Sequence, residues 1–281
     1  MNRLSRLRTA PLMALASLLL LTASARAQQR PAVRLSTPEQ FKEDFAAVPC
    51  KNEERLGAAR ALLEAAGVPP SDISTDKYKD VENLVVIKKG ESEERIVVGA
   101  HYDKVADGCG AIDNWTGVVT LSHLYMTLKG LPLKKTLVLV AFGKEEKGLM
   151  GSRAMTKDIG KEQAALYCAM INVDSLGMGP PQVAENMSSG KMRELAAGLA
   201  REMKMPFGSA GIGGADSDSS PFMAKHIPAV TIHGMNNDWA SVLHSRNDQA
   251  AKVNPLSVYM GYRLALAMIA RVDASPCAAY R

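Results

Sequence analysis

Apolar positions in this chain recur with two different periods, and the alternation between them predicts the elements. Residues near 38–47 and 52–66 carry helical spacing; in the second segment Leu56, Ala59, Leu62, Leu63 and Ala66 share a face, and Gly67 follows as a C-cap. Asn83–Ile87 and Ile96–Val98 read as strands on either side of the polar turn Lys89-Gly-Glu-Ser-Glu93, which predicts a hairpin. From Trp115 to Leu128 the spacing is helical again, with Val118, Val119, Leu121, Leu124, Tyr125 and Leu128 apolar before Gly130. Thr136–Phe142 and Leu166–Val173 are apolar almost throughout, as strands covered on both faces should be. Helical segments near 149–157 and 189–204 follow, then a flexible loop over Gly208–Gly214 and a short helix from about 218. The strand Ala229–Ile232 and a helix over 255–271 complete the chain. Strands alternating with helices predict an α/β fold, a sandwich whose central, mostly parallel sheet is flanked by helices.

The first residues follow another pattern. Arg3, Arg6 and Arg8 precede the apolar run Pro11–Leu21, and Ala25-Arg-Ala27 ends it. A basic region, a short apolar core and an A-x-A site predict a signal peptide over residues 1–27. The run is shorter than the roughly 20 residues that a spanning helix needs. Residues 28–281 are then one catalytic domain, exported to the periplasm or secreted, with no membrane segment in the mature form.

Composition changes this picture little. The net charge of +5 drops close to neutrality once four arginines leave with the signal peptide. No basic cluster interleaved with aromatics remains, so nucleic acid is excluded as a partner. Four cysteines in an exported chain point to disulfides, for which three connectivities exist. Cys50 and Cys277 lie near the two mature ends, which favours a bridge between them and leaves Cys109 to pair with Cys168. The alternative for Cys168, inside an apolar strand, is a small buried residue.

Candidate chemistry gathers where predicted strands end. His101 and Asp103 close the run Arg95–Ala100, and alternating strand side chains put both on one side. An imidazole can then bind a metal through one nitrogen while a carboxylate accepts the proton of the other. Asp113, the pair Glu145-Glu146, Asp174 and His244 each follow a strand or lie in a loop, where open α/β sheets place their sites. Each alone reads equally well as a turn, a cap or a surface loop. Together, two imidazoles and three carboxylates without a thiolate fit Zn²⁺, with Mn²⁺ or Co²⁺ as substitutes. They are too many for one tetrahedral zinc and suit two metals about 3.5–4 Å apart, one carboxylate bridging them.

Five blocks in order carry a resemblance: Gly99-Ala-His101-Tyr-Asp103, Gly110-Ala-Ile-Asp113-Asn114-x-x-Gly117, Phe142-Gly-Lys-Glu145-Glu146-x-Gly-Leu-x-Gly-Ser152, Asn172-Val-Asp174 and His244-x-x-x-Asp248. The chain resembles the zinc-dependent exopeptidase family of secreted bacterial leucyl aminopeptidases, to which glutaminyl cyclases are related. The resemblance implies a three-layer dizinc exopeptidase fold and two zinc ions per chain. It implies that Asp113 bridges the metals, with His101 and Asp174 on one and Glu146 and His244 on the other. It also implies catalytic roles for Glu145, the general base, and for Asp103, which would orient His101. The bond Asp113-Asn114 is expected to be cis. The implied reaction is hydrolysis of the N-terminal peptide bond of peptide substrates by a metal-bound hydroxide. The alternatives are a glutaminyl cyclase-like acyltransferase and a non-catalytic binding relative; retention of all five ligands argues against both.

The chain also departs from the family pattern. Ser219 stands where a His is frequent after Ser217-Asp218, leaving Asp218 as either a substrate contact or a helix N-cap. Leu243 stands where some members place a Tyr before the last His. Trp115 occupies a position that is usually small. Cys109, between His101 and Asp113, is a local feature that the ligand set leaves unexplained. His233 ends a strand near the site as a candidate substrate contact, whereas His123 reads as part of a helix and His226 of a loop.

Overall fold

The computed structural model describes residues 33–281, so the expectation of a signal peptide over 1–27 falls outside them. Its eight strands are β1 (Ile73–Tyr78), β2 (Val81–Lys88), β3 (Ser92–His101), β4 (Lys135–Phe142), β5 (Tyr167–Val173), β6 (Gln182–Ala184), β7 (Gly208–Ala210) and β8 (Ala229–His233). They form one sheet in the order β1-β2-β4-β3-β5-β8-β6-β7. The centre, β4-β3-β5-β8, is parallel, and β1, β2 and β6 make the antiparallel pairings. This is the mostly parallel, helix-flanked α/β sandwich that the hydrophobic pattern predicts.

Alternation along the central strands divides the core into two layers. Ile96, Val98 and Ala100 of β3 face α1 (Pro38–Phe45), α2 (Asn52–Ala65), α3 (Thr116–Leu128), α6 (Gly190–Glu202) and α8 (Pro255–Ala274). Val97 of β3 and Val140 and Phe142 of β4 face α4 (Met150–Lys157), α5 (Lys161–Leu166) and α7 (Ser219–Ala224). The helices start where their caps dictate. Thr37 and Gln40 form a capping box ahead of Pro38, and Asn254 accepts from the backbone N–H groups of Leu256 and Ser257. His123 is a core residue: its ring stacks on Phe41 at 3.9 Å and bonds Ser36 and Asp44 at 2.7 and 2.8 Å.

The predicted hairpin does not form. β4 lies between β2 and β3, antiparallel to the first and parallel to the second. The reason is burial: Leu137–Phe142 is apolar on both faces and is covered only in the middle of a sheet. The connection between β2 and β3 therefore steps across the start of β4. It passes so close that a Cβ on Gly90 would lie 2.3 Å from the Lys135 carbonyl carbon, so only glycine fits there. Polar β1, the three-residue β6 and β7, and short α5 carry too little periodicity to be seen in the sequence.

The disulfide pairing also differs from expectation. The bridges are Cys50–Cys109 and Cys168–Cys277, not Cys50–Cys277 and Cys109–Cys168. Parallel strands decide this. Cys168 starts β5, beside the Arg95–Ile96 region of β3, whereas Cys109 lies beyond the far end of β3 at His101. Five residues of extended chain, about 16 Å, already separate those levels, well beyond the reach of a disulfide.

Two measurements check these points. Peptide mapping of the unreduced protein should recover Cys50 linked to Cys109 and Cys168 linked to Cys277. Gly99→Val should destabilise the fold by about 1–3 kcal/mol in denaturant titrations through overpacking, because a Cβ there would lie 2.5 Å from the Phe142 ring and 2.9 Å from Met170.

Candidate metal centre

Because β3, β4, β5 and β8 run parallel, their C-terminal ends share one edge of the sheet. His101, Glu145-Glu146, Asp174 and His233 all lie at or just beyond those ends. Together with Asp113 and His244 they line a cavity of about 480 Å³. Among the described residues, His101, Glu145 and Asp174 form one group able to hold a metal ion, and His101, Asp113 and Glu146 another.

The geometry centres on Asp113. Its Oδ1 lies 3.1 Å from His101 Nε2, and its Oδ2 lies 3.0 Å from His244 Nε2. His101 Nε2 is also 3.6 Å from Asp174 and 4.0 Å from Glu145, while His244 Nε2 is 3.3 Å from Glu146. All six side chains that the sequence nominates for the metals and the general base thus converge, divided between two imidazoles with Asp113 touching both. The bond Asp113-Asn114 is cis.

Asp103 sits differently from its expected role. His101 Nδ1 lies 3.1 Å from the backbone carbonyl of Asp103 and 3.7 Å from its carboxylate. The carboxylate instead accepts the backbone N–H groups of Glu145 and Glu146 at 2.9 and 3.2 Å. Asp103 therefore orients the imidazole through its main chain and the two glutamates through its side chain. Those glutamates lie on a 3-10 turn, not on extended backbone, entered through Lys144 in a left-handed conformation. The tight turn still parts them, sending Glu145 towards His101 and Asp174 and Glu146 towards His244.

Three residues without an expected role support the ligands. Asp248, four positions after His244, accepts the backbone N–H groups of Ile112 and Asp113 at 2.7 and 3.0 Å. Ser217 donates to Asp174 Oδ2 at 2.5 Å, and Asn114 joins the metal loop to the end of β5 through Val173 and Ser175. Asp248 and Asn114 lie within the sequence blocks named above and Ser217 precedes Asp218, but nothing in a linear sequence reveals which groups they reach. Positive φ values at Lys144, Ser175 and His244 mark the same region; such strain in non-glycine residues persists only where surroundings enforce it.

Electrostatics tests whether cations fit this arrangement. Burial raises the pKa of Glu145 to about 10, with Asp218, Asp174 and Asp113 adding to the rise against His101. Burial and then Asp113 raise Glu146 to about 7. Asp113 moves the other way despite its burial, because hydrogen bonds from His101 and His244 hold it below the usual carboxylate range. The same contact with Asp113 lifts His244 to about 9. Glu146 Oε1 is buried without a hydrogen-bond partner. So many converging carboxylates, with an acceptor left bare, are the donor set that hard or borderline divalent cations satisfy.

The two candidate substrate contacts separate. His233 lines the cavity; its Nδ1 accepts from Met235 N–H at 3.3 Å, its Nε2 is buried without a partner, and burial lowers its pKa to about 4. Asp218 begins α7 fully buried and is not part of the cavity lining, and its carboxylate makes no capping bond. Burial, ahead of the neighbouring Asp174 and Asp103, raises its pKa to about 7. Met187, Ile212, Met235, Trp239 and Leu243 supply apolar wall around the polar floor.

Known proteins resemble this chain in sequence and in fold. Aminopeptidase YwaD of Bacillus subtilis is 30% identical over 107 residues, 37% of this chain and 24% of that protein. The structure of BSAP, a zinc aminopeptidase from Bacillus subtilis, superposes with a TM-score of 0.61 at 24% identity, covering 68% of this chain and 49% of the other. A glutaminyl cyclase from an Acidobacteriales bacterium superposes with a TM-score of 0.73 at 16% identity, covering 88% and 99%. The chain thus spans about a quarter of the first relative and about half of the second. The model of peptidase family M28 matches residues 83–269. That match takes in every ligand candidate and well over half of the chain, which belongs to peptidase family M28.

Proposed function

We propose that this chain is a dinuclear-zinc aminopeptidase, exported to the periplasm or secreted, that removes N-terminal residues from peptides. The observation that carries the reading is Asp113 between the two imidazoles of His101 and His244. In this reading His101 and Asp174 would hold one zinc ion and Glu146 and His244 the other, with Asp113 available to both; Mn²⁺ or Co²⁺ would suit the same donors. The ions would supply Lewis acidity, polarising the scissile carbonyl and making a water more acidic. Two disulfides accord with an oxidising compartment. Among the described residues no helix is long and apolar enough to cross a membrane.

The chain's own residues divide the remaining work. Glu145 takes a proton from the attacking water on its carboxylate and returns it to the leaving amine. Its burial, with other carboxylates beside it, favours uptake of that proton, and the N–H bonds to Asp103 keep the turn in place. His233, its Nδ1 occupied as an acceptor, carries its proton on Nε2 and serves as a donor to the bound peptide. The apolar wall of Met187, Ile212, Met235 and Leu243 receives the side chain next to the scissile bond and excludes water from it.

Wild-type protein should release the chromophore from aminoacyl anilides and lose that activity in chelator; ammonia release from glutaminyl peptides instead would support the acyltransferase alternative. Glu145→Gln should lower kcat by about 10²–10⁴ while two zinc ions remain bound; parallel loss of metal and activity would remove Glu145 from the base role. Asp113→Ala should lose both ions and His101→Ala mainly one, read by elemental analysis. Zinc uptake should release protons, because Glu146 with a pKa of about 7 and His244 at about 9 are protonated below those values and must lose their protons to bind metal. Affinity should therefore rise from pH 6 to 9, with fewer protons released at the higher pH. Calorimetric titrations in buffers of different ionisation heat check this, and heats that do not depend on the buffer would contradict it.

A further inference from the structure

Arg55, on α2, is fully buried, and none of the roles above uses it. A buried guanidinium ordinarily faces a carboxylate. Here every hydrogen bond it makes goes to a backbone carbonyl. Nε donates to Tyr102, Nη1 to Pro49 at 2.9 Å and to Cys109 at 2.8 Å, and Nη2 to Gly110 at 3.1 Å. The guanidinium carbon lies 5.0 Å from the centre of the Trp115 ring, a cation–π distance.

Those carbonyls flank two ligand candidates. Tyr102 follows His101, and Cys109 and Gly110 lead into Asp113. Pro49 precedes Cys50, which the disulfide joins to Cys109. One side chain therefore links α2 to both ligand-bearing segments, while Asp248 grips the same loop through Ile112 and Asp113. Gly110 has a positive φ of 56°, and its carbonyl accepts from both Arg55 and Trp115 N–H.

We infer that Arg55 is a positioning residue for the metal pair, holding the His101–Tyr102 strand end and the Cys109–Asp113 loop in their liganding geometry before any ion arrives. The inference rests on the reading of His101 and Asp113 as ligands. It gives a role to Trp115, which departs from the family pattern, and to Cys109, which the ligand set leaves unexplained. Cys109 ties the loop to the segment whose carbonyl Arg55 also holds, and Trp115 covers the face of the guanidinium. The fixed fork of the guanidinium reaches several carbonyls at once, which a lysine ammonium does not reproduce.

Arg55→Lys in the full-length chain tests this, with zinc affinity measured by competition against a chromophoric chelator and the ligand field read from the absorption of the cobalt-loaded protein. The expected result is a loss of about 10–100-fold in metal affinity and an altered cobalt spectrum in a variant that still folds. Wild-type affinity and an unchanged spectrum, whatever the thermal midpoint, would overturn the positioning role. Wild-type protein that binds fewer than two ions would instead overturn the ligand reading, and this inference with it. If Arg55→Lys does not fold, amide exchange of the metal-free wild-type chain decides. Protection of the Ile112, Asp113 and Trp115 amides equal to that in the zinc-loaded protein supports the inference. Protection that appears only with zinc shows that the metal organises the loop.

Discussion

Burial of several carboxylates side by side is the constraint on which this site depends. Asp113, Glu145, Glu146 and Asp174 meet within one cavity, where burial first and neighbouring carboxylates next disfavour the ionised forms of Glu145 and Glu146. A flexible peptide would relieve this by moving the groups apart. The fold prevents that by securing the backbone beside each one. Asp103 binds the N–H groups of the Glu145-Glu146 turn, Asp248 those of Ile112 and Asp113, and Asn114 and Ser217 the end of β5 and Asp174. Bound cations would offset the cost of ionising these buried groups, and the rigid support holds the candidate ligands in a defined geometry.

The sheet makes such support available. Parallel strands bring the C-terminal ends of β3, β4, β5 and β8 to one edge, so residues from distant parts of the sequence share a single cavity without a long connecting segment. Core packing extends to the edge itself: Gly99, two residues before His101, lies against Phe142 and Met170. The apolar layers therefore set the height and angle of the strand end that presents the imidazole. Stability and site geometry are in this respect one property.

Support and chemistry are carried by different residues, and they differ in how visible they are. Histidines and carboxylates at strand ends announce themselves by residue type and spacing, and the ligand candidates His101, Asp113, Glu146, Asp174 and His244 converge as their sequence blocks suggest. Asp103 was visible as a residue, but its carboxylate reaches the main chain of Glu145 and Glu146 across 42 and 43 positions. Arg55 was invisible, since its partners are carbonyl groups, which every residue possesses. A polar side chain that binds backbone leaves no pattern in the residues it binds.

The sequence by itself determined the alternation of strands and helices, the buried character of β4 and β5, and which histidines and carboxylates stand as candidates to hold a metal. These follow from local periodicity and from the chemistry of single side chains, which a linear chain displays directly. Tertiary structure alone decided strand order, the insertion of β4 between β2 and β3, and the pairing of Cys50 with Cys109 and Cys168 with Cys277. Each of those depends on which distant segments become neighbours. That choice is made by burying apolar faces together over the whole molecule, a cooperative quantity that no window of the sequence contains.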